Sequence, residues 1–107
     1  MDIGTGLDNV NWCLKKCGGI AVLMITGKVA CNGYSGTTIA SGYRPKIESN
    51  ASIWINDGAG NRYNGYIILS TAGAIKFYFY KPHSTEVGEC TSRSDLYPHG
   101  QVCYCLA

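Results

Sequence analysis

The chain has 107 residues, which is one small domain's worth. Nine basic and seven acidic residues leave a formal charge of only +2, too weak a field to argue for nucleic acid or an anionic membrane as partner. Glycine is abundant, strong helix formers are scarce and no window shows a 3.6-residue period, so the composition excludes a helical protein and points to an all-β one.

The first residues, Met1 to Gly6, carry no basic n-region and no apolar h-region, so no signal peptide is expected. Residues 1–8 read as a linker or N-terminal arm. Asn9 to Leu14 is predicted as a first short strand around Trp12, interrupted by Lys15, Lys16 and the Gly18-Gly19 pair. Ile20 to Thr26 is predicted as a second strand, apolar on both faces. Ile20, Val22 and Met24 lie on one side, and Ala21, Leu23 and Ile25 on the other. Such a strand belongs between two layers or at a subunit contact. The run Ile20 to Ile25 is the longest apolar one, and it is far too short to span a bilayer.

Asn32 to Gly36 reads as a polar loop. Thr37 to Pro45 reads as an ordered crossover, because Pro45 cannot donate to a ladder and holds Arg44 extended. Tyr43 and Arg44 are assigned structural roles there: a ring closing the crossover, and a guanidinium held by carbonyls or a carboxylate. Ala51 to Asn56 is predicted as a strand with Ile53 and Ile55 on one face and Trp54 on the other. Asp57 to Asn61 is its hairpin turn. A phosphate-cradling loop would need a following helix, and none is suggested.

The clearest pattern runs from Tyr66 to Tyr80. Two runs rich in β-branched and aromatic residues flank Thr71-Ala72-Gly73, the signature of a β-hairpin with Gly73 in the left-handed position of a bulged turn. Alternation puts Ile75, Phe77 and Phe79 on a dry face and Lys76, Tyr78 and Tyr80 on a wet one. This hairpin is expected at the centre of an antiparallel sheet. Lys81 to Gly100 shows no strand pattern and reads as a long loop, the kind that is usually functional or mobile. Gln101 to Leu106 is the closing strand, with Val102, Tyr104 and Leu106 opposed to Cys103 and Cys105. No linker or repeat divides the chain, so residues 1–107 are read as a single domain.

Four of these pieces together resemble a known family. Lys16 to Ile25 is an aliphatic strand. Thr37 to Pro45 holds Thr-Thr-Ile-Ala followed by Ser-Gly-Tyr-Arg-Pro. Gly65 to Tyr80 is a hairpin with an internal Gly-x-Ile, and Gln101 to Ala107 is an aromatic-bearing last strand. The set is similar to the C-terminal head domains of tail-fibre and baseplate receptor-binding proteins of phages infecting Gram-positive bacteria. Ala40-Ser41 stands where that family places Leu-Pro, which implies a looser crossover. The resemblance implies a jelly-roll-like antiparallel β-sandwich assembled as a homotrimer. It also implies a place in the virion beside other tail or fibre proteins, with synthesis in the host cytoplasm and release by lysis. The implied activity is attachment to a host cell-surface glycan without catalysis.

Six cysteines invite three readings: small buried thiols, disulfides formed after release, or a metal site. Cys13-x-x-x-Cys17 and Cys103-x-Cys105 would offer four thiolates only if the terminal strands were neighbours, and their spacing is not that of a zinc ribbon. No metal and no cofactor is therefore expected. Buried thiols are the default, with Cys90 in the long loop as the exposed one. A nucleophile built from Cys90 with His83 or His99 lacks any sign of an oxyanion donor pair. The acids Glu48, Asp57, Glu86, Glu89 and Asp95 all fall in predicted turns or loops, so no enzyme is expected. Binding is the better reading, because an aromatic ring offers a flat apolar face and a polar tip suited to a sugar. The candidate residues are Tyr78 and Tyr80 on the hairpin, and His83, Arg93, Asp95, Tyr97 and His99 in the long loop. A purely structural trimerising knob, or a capsid or head-fibre domain, with no ligand is the alternative.

Overall fold

The computed structural model describes residues 2–3 and 11–107. Its strands are β1 (Asp2–Ile3), β2 (Trp12–Cys17), β3 (Ile20–Thr26), β4 (Thr38–Ile39), β5 (Ser49–Asp57), β6 (Arg62–Leu69), β7 (Ile75–Tyr80), β8 (Val87–Glu89) and β9 (Leu96–Cys105). A 3-10 turn at Cys31–Tyr34 sits between β3 and β4. Seven strands form one antiparallel sheet in the order β2-β3-β9-β5-β6-β7-β8, and β1 pairs with β4 in parallel. Among the described residues no helix is long and apolar enough to cross a membrane.

Alternation along the strands sorts the sheet into a dry and a wet face. Leu14, Leu23, Ile25, Val102, Tyr104, Ile53, Ile55, Ile67, Leu69, Ile75 and Phe77 are all buried on the inner face. The cover over that face is an irregular layer built from the β1–β4 pair, the 3-10 turn and the crossover. It contributes buried Ile3, Cys31, Tyr34 and Ile39. Burial pushes the Tyr34 and Tyr104 phenols up to about 12, so both remain neutral donors. Tyr34 donates to the Asn11 carbonyl at 2.8 Å and Tyr104 to the Tyr43 carbonyl at 2.7 Å. These two bonds tie the cover to the sheet.

The central hairpin forms as expected. Gly73 has φ +88°, its N–H donates to the Ser70 carbonyl, and the Ser70 N–H donates to the Ala74 carbonyl. The turn is pressed onto the crossover: Ile39 N–H donates to the Gly73 carbonyl at 2.8 Å, and Arg44 Nε donates to the Ile39 carbonyl at 2.7 Å. That carbonyl bond gives Arg44 its structural role. A Cβ at Gly73 would stand 2.7 Å from the Ile39 carbonyl oxygen. Gly73→Ala therefore combines a disfavoured left-handed residue with a backbone clash. It is expected to lower stability by at least about 2 kcal/mol, measured by urea titration.

Four expectations need correction. The hairpin β6–β7 lies off-centre, and the middle of the sheet is β9 and β5. The stretch read as one long loop contains β8 and the first half of β9. Pro98 and Gly100 hid that strand. At Pro98, β9 pairs only with β5, because its pairing with β3 begins at His99, so a missing N–H on the open side is tolerated. Asn32 to Gly36 is not simply a polar loop, since the 3-10 turn buries Tyr34. The first strand begins at Trp12 and keeps Lys15 and Lys16, while Asn9 and Val10 lie outside the described residues. The same holds for most of the residue 1–8 arm, of which Asp2–Ile3 pairs with β4.

Candidate binding face

The outer face of the sheet gathers rings from four strands. Thr26 of β3 stands opposite His99 of β9, His99 opposite Trp54 of β5, and Trp54 opposite Asn64 of β6. His99 and Trp54 stack with ring centroids 5.2 Å apart and planes 9° apart. The Arg62 guanidinium lies over the Trp54 ring at 5.2 Å. Gly27 packs against the imidazole, where a Cβ would overlap the ring. Beside this stack is an open hollow of about 450 Å³, whose lining includes Met24, Ser52, Trp54, His99 and Gln101.

A second group stands on β6 and β7. Tyr66 faces Tyr78 across the ladder, and their rings stack at 5.0 Å. Tyr80 lies 5.9 Å from Tyr66, tilted, and is 44% exposed. Three strand steps separate β9 from β7, about 14 Å at ordinary spacing. Between the groups, Trp54 of β5 and Tyr66 of β6 stand on neighbouring strands, Trp54 opposite Asn64 and Tyr66 opposite Ser52, so the rings form one continuous outer surface.

Burial pushes the His99 imidazole below its ordinary value, and the Arg62 charge adds to this. The neutral ring accepts a hydrogen bond from Asn56 Nδ2 at Nε2, 3.1 Å away, which places its own proton on Nδ1. Because the folded chain holds the proton less tightly than the unfolded one, this contribution to stability is present above about pH 6.5 and is lost as pH falls through the folded value. The His99 ring signal is expected to titrate in NMR with a midpoint below about 6.5. A midpoint above that value would mean the ring is not packed between Trp54 and Gly27.

The seven candidate residues divide. Tyr78 and Tyr80 lie on the wet face as expected. Tyr97 and His99 also lie there, opposite Asn56 and Trp54, but on a strand and not in a loop. Arg93 and Asp95 form a bidentate ion pair at 2.8 and 2.6 Å in the β8–β9 loop, so their opposite charges are paired with each other. His83 stands apart in the exposed β7–β8 turn with φ +56°. Sequence reasoning missed Trp54, Tyr66, Asn56 and Arg62. Trp54 carried a usable signal, since alternation set it opposite Ile53 and Ile55.

The cysteines also divide, against the expectation of buried thiols. Cys17, Cys103 and Cys105 are exposed, and Cys13 is half-buried. Cys90, expected exposed, is fully buried beside Cys31. β3 separates β2 from β9, so the two pairs of terminal thiols are not neighbours. Among the described residues, no group of three or more His, Cys, Asp or Glu side chains is placed to hold a metal ion. Glu89 belongs to β8 and not to a loop.

No protein-family model matches the chain, and neither a curated protein nor a solved structure matches it.

Proposed function

We propose that this is a non-catalytic binding domain that holds an oligosaccharide against the outer face of its sheet. More particularly, we propose the distal head of a phage tail fibre or baseplate protein, attaching a virion to a cell-surface glycan of a Gram-positive host. The observation that carries the reading is the set of rings on the outer face, of which Trp54 and Tyr80 are exposed and His99, Tyr66 and Tyr78 half-buried. Trp54 and His99 border a mainly apolar hollow with Ser52 and Gln101 at its wall, and Tyr66, Tyr78 and Tyr80 continue the face. Rings supply apolar area, while Ser52, Gln101, Asn64 and Arg62 supply the hydroxyl partners that a sugar needs. Each site would be weak, and several heads on one particle would multiply the avidity.

In this reading the domain is a jelly-roll-like sandwich assembled as a trimer. Two features support it. β9 gives its first half to β5 and its second to β3, turning at Gly100, as strands do when they pass between the layers of a sandwich. The outer side of β3 also leaves Ile20 53% and Met24 44% exposed, an apolar stripe suited to a subunit contact. The same stripe favours the second reading, a trimerising knob with no ligand.

A glycan array with the purified domain, read beside its mass in solution, separates the two. Tyr80→Ala and Tyr97→Ala are expected to remove glycan binding and leave the trimer intact. Absence of any glycan binding, with tyrosine changes that dissolve the trimer, would favour the knob.

A further inference from the structure

Cys31 and Cys90 are both fully buried, and their sulfurs lie 3.7 Å apart. They are 59 positions apart in the chain. Both are free thiols in this structure. Their backbones are already held together. Asn32 N–H donates to the Arg93 carbonyl at 3.0 Å, Arg93 N–H to the Cys90 carbonyl at 2.9 Å, and Cys90 N–H to the Phe77 carbonyl at 2.8 Å. A disulfide needs its sulfurs at about 2.05 Å, so each sulfur would move by roughly 0.8 Å.

The other described cysteines offer no comparable pair. Cys17 and Cys105 face Ile20 from opposite sides, two strand spacings apart. That is about 9.6 Å, well beyond disulfide reach. Cys13 and Cys17 share a strand, as do Cys103 and Cys105, where same-face side chains stand about 6.6 Å or more apart.

We propose that Cys31 and Cys90 form an intramolecular disulfide in the mature protein, stapling the layer over the inner face to the edge of the sheet. Cys31 opens the 3-10 turn of the cover. Cys90 directly follows β8, a three-residue edge strand that among the described residues pairs only with β7. The bond would close a loop of some sixty residues at the β8 edge of the sheet. Closure of so long a loop restricts the unfolded chain strongly.

The oxidant is a low-molecular-weight disulfide, such as oxidised glutathione. The Cys90 thiolate attacks one of its sulfurs, a mixed disulfide forms at Cys90, and the first small thiolate departs. Cys31 then loses its proton and attacks the Cys90 sulfur, and the second small thiolate departs. The protein gives up two electrons and two protons, and the small disulfide becomes two thiols. The hydrogen bond from Cys31 holds the Cys90 thiol below its ordinary value, against the opposing effect of burial, which favours Cys90 as the first nucleophile. Neither sulfur touches solvent in the closed fold, so exchange takes place as the chain folds or while residues 90–95 are open. The finished bond is then shielded from reductants. This inference needs no ligand and stands apart from the binding reading.

The test uses the full chain with Cys13, Cys17, Cys103 and Cys105 all changed to Ser. After incubation with oxidised glutathione, the protein is denatured, alkylated with iodoacetamide and weighed. The expected result is a mass lower by two hydrogen atoms, no alkylation, and linked peptides carrying Cys31 and Cys90. The oxidised form is expected to melt roughly 10–20 °C above the reduced one. Full alkylation of both residues, equal to that of a reduced control, overturns the proposal. Should the fourfold variant fail to fold, peptide mapping of the unaltered chain decides. A Cys31–Cys90 link sustains the proposal, and two free thiols or links to other cysteines overturn it.

Discussion

Phe77→Ala is expected to lower the free energy of unfolding by about 3–5 kcal/mol. The ring is fully buried, stands opposite Ile67 and meets Tyr34 edge-on at a centroid distance of 5.3 Å. Its backbone N–H donates to Thr91 Oγ1 at 2.8 Å, and its carbonyl accepts from Cys90 N–H. Those bonds survive truncation and hold the strand in place, so the cavity cannot collapse. The loss falls on both layers, because Tyr34 belongs to the cover and Phe77 to the sheet. Small domains have only about 5–15 kcal/mol in total, so much of the native margin would go. Urea denaturation followed by the fluorescence of Trp12 and Trp54 measures the change. A change under about 1 kcal/mol would mean that β7 is shifted by one residue, with Lys76 and Tyr78 on the inner side.

Trp54→Ala is expected to weaken oligosaccharide binding about 100-fold while leaving the fold nearly as stable. The ring is 38% exposed, on the outer face, so little of the core rests on it. Its removal takes away a wall of the hollow, the stacking partner of His99 and the surface beneath Arg62. Trp54→Phe keeps a ring and is expected to retain part of the affinity. Titration calorimetry with a bound oligosaccharide from the array reads both variants. Unchanged affinity in Trp54→Ala would place the ligand elsewhere, leaving the Tyr66, Tyr78 and Tyr80 group as the alternative part of the same face.

The sites of these two substitutions were legible to different degrees. Phe77 could be assigned to a dry face from alternation alone, because the hairpin pattern around Gly73 is local and strong. The wet character of Tyr78 and Tyr80 followed from the same alternation. Tyr97 and His99 read as loop residues in the sequence, because Pro98 and Gly100 interrupt the strand signal, yet both lie on β9. Their place on the outer face depends on β9 lying beside β5, which brings His99 onto Trp54.

The order of residues along the chain determined what short-range physics controls. It settled the all-β character, the inward and outward sides of β5 and β7, and the turns at Gly18-Gly19, Asp57 to Asn61 and Gly73, while β3, apolar on both sides, showed which side is inward only once folded. Those features arise from side-chain alternation and from backbone angles that only glycine adopts cheaply. Tertiary structure alone decided which strands distant in the chain are neighbours, which cysteines are hidden, and which rings share a surface. Cys90 is buried because a turn 59 positions earlier covers it. Pairing between distant segments depends on closing long loops and on mutual packing of both partners, and neither is written in the local pattern of one segment.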